Sequence, residues 1–227
     1  MQIMVARPVV SAAEAEAIER RVAEFERRTG AEIVAAVEQR CDAYPEVPWR
    51  AFALGTSLAA LSALAGDLLR PEWTGPGSLL IQAMTVLGVG ALAALLSMLV
   101  PDFGRFFVRA GRMREEVRQR ADVVYLAHEL FATSGRDAIL VLVSRFERCV
   151  VVVPDRAYRD RVSTGEWGKI VETMTPPLAQ GRLVEAFDTG FAAIETMLAA
   201  KGIAGARTLR TLPDAVVQGP LPWGGDA

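Results

Sequence analysis

The chain has 227 residues, 52% of them hydrophobic, with 25 basic against 27 acidic side chains and a formal net charge of −2. That balance argues against a nucleic-acid binder, which concentrates positive charge. The two cysteines, Cys41 and Cys149, stand far apart without a CxxC or a histidine cluster, so they read as unpaired small hydrophobes ahead of the alternatives, a disulfide or a metal site.

The opening MQIMVARPVV is too short for a signal peptide and leads straight into a helix start. Ser11-Ala-Ala-Glu14 is a capping box. Ala15, Ile18, Val22 and Phe25 then recur at helical spacing, and Thr29-Gly30 ends the helix with a glycine suited to a left-handed cap. Residues 31–37 (AEIVAAV) read as a buried strand. One helix and one strand cannot bury their apolar faces alone, so this piece needs partners from later in the chain.

Two long apolar runs follow, residues 51–69 and 77–100, separated by RPEWTGP at 70–76. The second run carries no charge and is long enough to cross a ~30 Å hydrocarbon core. The first contains Asp67, which is costly at a bilayer centre but sits near Arg70 at the expected far interface. Ala51, Gly55, Ala59, Ala63 and Gly66 recur near fourfold spacing and would let two antiparallel helices pack closely. Arg40 and Arg50 precede the first run. Arg105, Arg109, Arg112, Arg114, Arg118 and Arg120 follow the second, and the turn holds only Arg70 beside Glu72. The positive-inside rule then places both ends in the cytoplasm, as a multi-pass protein of the inner membrane, with Trp49 and Trp73 as interface anchors.

Residues 103–133 read as one long helix whose apolar face includes Phe106, Met113, Val117, Ala121, Val124, His128 and Phe131. Its near half is basic. Arg105, Arg109 and Arg112 are the candidates for contact with anionic headgroups of the lipid bilayer, against the plainer reading of a solvated helix face. Ser134-Gly135 stops the helix. Residues 138–144 and 149–153 are strands joined by Arg145-Phe146-Glu147-Arg148, and a two-residue turn at Phe146-Glu147 sets residue 139 opposite 154 and Asp137 opposite Arg156. Strands apolar at successive positions are buried on both faces. The fold class is therefore α/β (layered α+β): a small mixed sheet covered by helices on both faces, interrupted by a two-helix hairpin. A second capping box, Ser163 to Glu166, opens a helix to about residue 174, where Pro176-Pro177 would break it. Leu183, Phe187, Phe191, Ile194 and Leu198 stripe a last helix ended by Lys201-Gly202. Residues 203–227, rich in glycine and proline, read as a flexible tail. The expected organisation is one discontinuous soluble domain, 10–45 plus 102–201, around a transmembrane hairpin at 50–100.

Three blocks in this order resemble the TPM domain family: the strand entry TGAEI at 29–33, the strand pair with its charged turn at 137–155, and the closing helix that runs from Gly181 to Gly190. With a hairpin after the first strand, the chain looks like a bacterial, membrane-bound branch. The resemblance implies a small mixed sheet covered by helices. Some members of the family are described as acid phosphatases, some bind divalent cations through acidic residues, and others are accessory proteins of membrane complexes. This chain departs from the family in lacking a leader, in pointing its domain inward, and in carrying Asp137-Ala138 where an Asn/Asp-Gly pair is usual.

The deduced register puts Asp137 and Asp155 at one end of the strand pair, where two carboxylates could hold a divalent cation such as calcium or magnesium through oxygen ligands. Arg136 and Arg156 share that rim, so solvated salt bridges are the plainer reading. The sequence names no catalytic residue. A phosphatase needs a nucleophile or a metal-bound water, and no His-rich or Cys-x5-Arg motif supplies one. The expected function is a membrane-anchored binding or accessory module for another membrane protein; the alternative is a divalent-metal-dependent acid-phosphatase-like hydrolase.

Overall fold

A computed structural model describes residues 9–69, 76–133, 135–203 and 216–218. The expectations placed on Arg70, Glu72, Trp73, Ser134 and most of the tail lie outside these residues. The described chain divides into two compact units, one within Met1–Cys41 and Met113–Ala227, the other within Asp42–Arg112.

In the first unit, α1 (Ala12–Thr29) starts at a complete capping box: Ser11 accepts from the Glu14 N–H, and Glu14 accepts from the Ser11 N–H. It ends at Gly30, whose φ of 72° is the left-handed conformation that favours glycine. The chain turns at once into β1 (Glu32–Glu38). There Glu26 accepts from the Ile33 N–H at 3.2 Å, tying the helix end to the strand.

β1 pairs parallel with β2 (Ala138–Ser144), and β2 pairs antiparallel with β3 (Cys149–Pro154). Ile139 stands opposite Pro154, the expected register, although the turn takes four residues, 145–148, and not two, with Arg148 at a φ of 49°. The sheet order is β3-β2-β1-β4, with β4 the two residues Val217–Gln218, parallel to β1. This strand corrects the flexible-tail reading at that point. A two-residue strand is too short to carry periodicity, so no pattern announced it.

One face of the sheet, with Ile33, Ala35, Ile139, Val141 and Val143, is covered by α1, α7 (Thr164–Ala179) and α8 (Leu183–Ala200). The other face, with Val34, Ala36, Leu140 and Leu142, packs under Val117, Ala121 and Val124 of α5 (Ala110–Ala127) and under Leu130. A parallel neighbour pair needs a crossover. Here the chain between β1 and β2 holds that crossover helix, α5, and the whole apolar hairpin.

Three sequence expectations are corrected. The helix expected over 103–133 is broken: α4 (Pro101–Phe106) ends at Phe107, α5 follows from Ala110, and a 3-10 turn covers Leu130–Ala132. Burial of Val108 between the helices and of Leu130 after α5 takes the chain off the helical path. His128 therefore lies past the end of α5 and is exposed, not on the core stripe. Finally, α7 runs through Pro176 and Pro177, because these fall in its last turns, where Pro177 and Leu178 are buried and the Gln180 N–H bonds the carbonyls of both prolines.

In the second unit, α2 (Glu46–Leu69) and α3 (Pro76–Leu99) are each long and apolar enough to cross a membrane, and only 6% of each apolar window is buried within the molecule. They run antiparallel: Gly55 meets Ala93, and Asp67 accepts from the Gln82 side-chain amide at 2.7 Å. A Cβ on Gly55 would lie 2.9 Å from that of Ala93, so the close approach requires the glycine. Gly66 has open space around it and takes no part in that packing. Within this unit Arg112 pairs with Asp42 at 2.9 Å and with Glu46, Arg105 pairs with Asp102, and Arg50 donates to the Phe107 carbonyl at 2.8 Å.

Candidate functional site

The rim anticipated from the turn register lies at the start of β1 and β2 and the end of β3. Beyond the last strand pair the ladder continues, with the Asp155 N–H donating to the Ala138 carbonyl at 2.9 Å. Asp155 is 2% exposed. Its side chain caps α6 (Arg156–Arg159) by accepting from the Arg156 N–H. Both of its oxygens also accept from Arg136: Nε lies 2.9 Å from Oδ2 and 3.2 Å from Oδ1, and Nη2 lies 3.0 Å from Oδ1. Tyr125 adds a further hydrogen bond. Burial opposes ionisation of this carboxyl, but the hydrogen bonds from Arg136, the Arg156 N–H and Tyr125 outweigh it and hold Asp155 below the usual carboxylate range.

Arg136 reaches this position from a backbone φ of 51°, which non-glycine residues rarely adopt. Its N–H donates to the Thr133 carbonyl and its own carbonyl accepts from the Ala157 N–H, so the main chain is fixed on both sides.

Asp137 is 5% exposed and behaves differently. Neither of its carboxylate oxygens has a hydrogen-bond partner. The carboxylate is folded back over Gly135, 2.8–3.0 Å from where a Cβ would stand, so only a glycine leaves it room. Desolvation, with Glu32 and Asp155 as neighbouring negative charges, pushes its carboxyl up. Its main-chain carbonyl accepts from the Tyr158 hydroxyl at 2.9 Å, and burial raises that phenol strongly.

Sequence reasoning thus placed Asp137 and Asp155 at one rim but missed three residues there. Glu32 is brought beside Ala138 by the parallel register. Tyr125 comes from the crossover helix and Tyr158 from α6. The parallel pairing of β1 with β2, had it been deduced, would have found Glu32.

Does this rim fit a divalent cation? Calcium takes six to eight oxygen ligands and magnesium six, with lone pairs open to the ion. The lone pairs of Asp155 are engaged by the Arg136 guanidinium, the Arg156 N–H and the Tyr125 hydroxyl. Among the described residues no group of three or more His, Cys, Asp or Glu is arranged to hold a metal ion. The donor set does not fit a divalent cation.

A second polar cluster lies at the opposite end of the sheet. Arg120 Nε donates to buried Glu38 at 2.8 Å, and Ser144 bonds Glu147, which also accepts from the Cys41 N–H at 3.0 Å. Burial pushes the Glu38 carboxyl up despite Arg120. Burial also pushes the Cys41 thiol up to about 12 and raises that of Cys149, which disfavours the thiolate form of both free cysteines. This cluster is a satisfied network that closes the sheet end. Of the three arginines expected at a membrane surface, Arg105 and Arg112 have acidic partners, and Arg109 is exposed.

With this geometry in place, residues 109–197 match the family model described as the TPM domain. Among solved structures the chain is similar to the NMR structure of the BA42 protein from the psychrophilic bacterium Bizionia argentinensis, with a TM-score of 0.53 at 15% identity over 96% of this chain and 100% of that one. That likeness concerns the fold alone. No curated protein matches the chain.

Proposed function

We propose, from the TPM domain that residues 109–197 carry and the apolar hairpin that precedes it, that this chain is a membrane-anchored module binding another membrane protein as an accessory subunit. The observation that carries this reading is the hairpin surface. Leu58, Leu61, Leu64 and Leu68 on α2, and Leu80, Ile81, Met84 and Leu87 on α3, all point outward. An apolar surface of this extent is not tolerated in water, whereas a bilayer solvates it and leaves both helices their internal hydrogen bonds. The arginines at both chain ends of the hairpin favour an inner-membrane protein with its domain in the cytoplasm. Exposed Arg109 is then the residue best placed for anionic headgroups.

The rim supports binding over hydrolysis, because Arg136 already neutralises Asp155. Purification of a tagged full-length chain from membranes in mild detergent tests the proposal. A stoichiometric membrane-protein partner supports it. Recovery of the chain alone, with phosphomonoester turnover that needs a divalent cation and is lost in Asp137→Asn, overturns it in favour of a hydrolase. A reporter fused after Ala227 that is active only on the outer side of the membrane overturns the inward orientation.

A further inference from the structure

At the rim of the sheet a buried carboxylate meets a fixed positive group from the chain itself. Asp155 is almost wholly buried, and its two oxygens are gripped as a fork by Nε and Nη2 of Arg136. Fork geometry matches a guanidinium to a carboxylate better than a point charge does. The delivery of Arg136 is built in, since a left-handed residue held by Thr133 on one side and Ala157 on the other aims the side chain across the strand pair. Asp137, the other carboxylate of the rim, is turned back over Gly135.

We propose that Arg136 takes the place of a divalent cation at this rim, so that the folded domain is independent of calcium and magnesium. The guanidinium supplies the charge compensation that Asp155 needs. Removing it leaves the buried Asp155 carboxylate uncompensated near the Asp137 carboxylate, and a cation entering the vacated place restores the charge balance. This inference does not depend on what the module binds.

The test uses the full chain in detergent micelles, with thermal unfolding followed in EDTA, in calcium and in magnesium, and terbium luminescence sensitised by Tyr125 and Tyr158 as a direct readout of ion binding. The wild-type protein is expected to unfold at the same temperature in all three and to give no terbium signal. Arg136→Ala is expected to unfold several degrees lower in EDTA and to recover with calcium. Arg136→Gly removes the guanidinium while accepting the positive φ, so it separates lost charge from backbone strain. It is expected to gain a terbium signal that a further Asp155→Asn change abolishes. A wild-type protein destabilised by EDTA, or binding terbium through Asp155, overturns the proposal. So does a pair of Arg136 variants that lose stability without gaining any response to cations, which would leave a structural ion pair only.

Discussion

The carboxylate of Asp155 and the guanidinium of Arg136 form a two-pronged contact, with one partner buried and the other half in solvent. It ties the last residue of the β-hairpin to the loop that enters it, and it orders the start of α6 at the same time.

The folded-state carboxyl of Asp155 titrates below its unfolded value. Its contribution to stability is therefore complete above the unfolded value near pH 4 and is lost as the pH falls through the lower folded value. Unfolding temperature measured against pH should drop below about pH 4, and Asp155→Asn should flatten that drop while lowering stability at neutral pH. An unchanged acid limb in Asp155→Asn would show that other carboxylates carry it.

Asp137 gives the opposite sign. Its folded-state carboxyl titrates above the unfolded value because it is desolvated and faces the negative charges of Glu32 and Asp155. Stability is then favoured below the unfolded value near pH 4 and declines as the pH rises toward the folded one. Asp137→Asn keeps the shape and removes the charge, so its advantage over the wild type should grow from pH 4 upward and appear as a higher unfolding temperature at neutral pH. A lower one would mean that the charged form makes a contact worth keeping.

The two aspartates also mark how far the sequence could be read. Both fall at the same rim because the pairing register is set locally: a two-residue turn and the observed four-residue turn at 145–148 centre the hairpin on the same point. The capping boxes at Ser11 and Ser163 and the left-handed Gly30 are equally local and equally legible. What distinguishes the two carboxylates is not local. Asp155 is neutralised because Arg136 adopts a positive φ and Tyr125 arrives from the crossover helix, and Asp137 is stranded because Gly135 lets it fold back. The same limit explains α7. Pro176-Pro177 is a strong local stop signal, overridden because Pro177 and Leu178 are buried in the final turn.

The closing helix offers a packing test. Gly190 of α8 faces Met174 of α7, and a Cβ there would lie 2.8 Å from Met174 Cγ and 2.9 Å from its Cε. Met174 is fully buried and has little room to give way. Gly190→Ala should therefore cost about 1–3 kcal/mol by overpacking, and Met174→Val in the same chain should recover part of that loss. Gly168, exposed on α7 with nothing within 4 Å of its Cβ position, is the control. Gly168→Ala should stabilise by about 0.4–1 kcal/mol through the unfolded state. Chemical denaturation of the three variants beside the wild type distinguishes packing from propensity, and a stabilising Gly190→Ala would refute the packing account.

The hairpin makes a parallel prediction in a different solvent. At Gly90 a Cβ would come within 3.0 Å of two ring carbons of Phe52 and would also press on the Thr56 methyl, while Gly88 on the same helix has open space. In a bilayer, helices associate through such close backbone packing, since lipid tails are as apolar as the side chains they would replace. Gly90→Leu should force α2 and α3 apart, weaken the Asp67–Gln82 hydrogen bond and cost about 1–3 kcal/mol by overpacking. Gly88→Leu adds the same apolar volume on a face with room for it and should leave the hairpin intact. Thermal unfolding of both variants in micelles, followed by the quenching of Trp49 fluorescence, separates the two. Equal losses at Gly88 and Gly90 would mean that total bulk, and not the contact between α2 and α3, sets the stability of the hairpin.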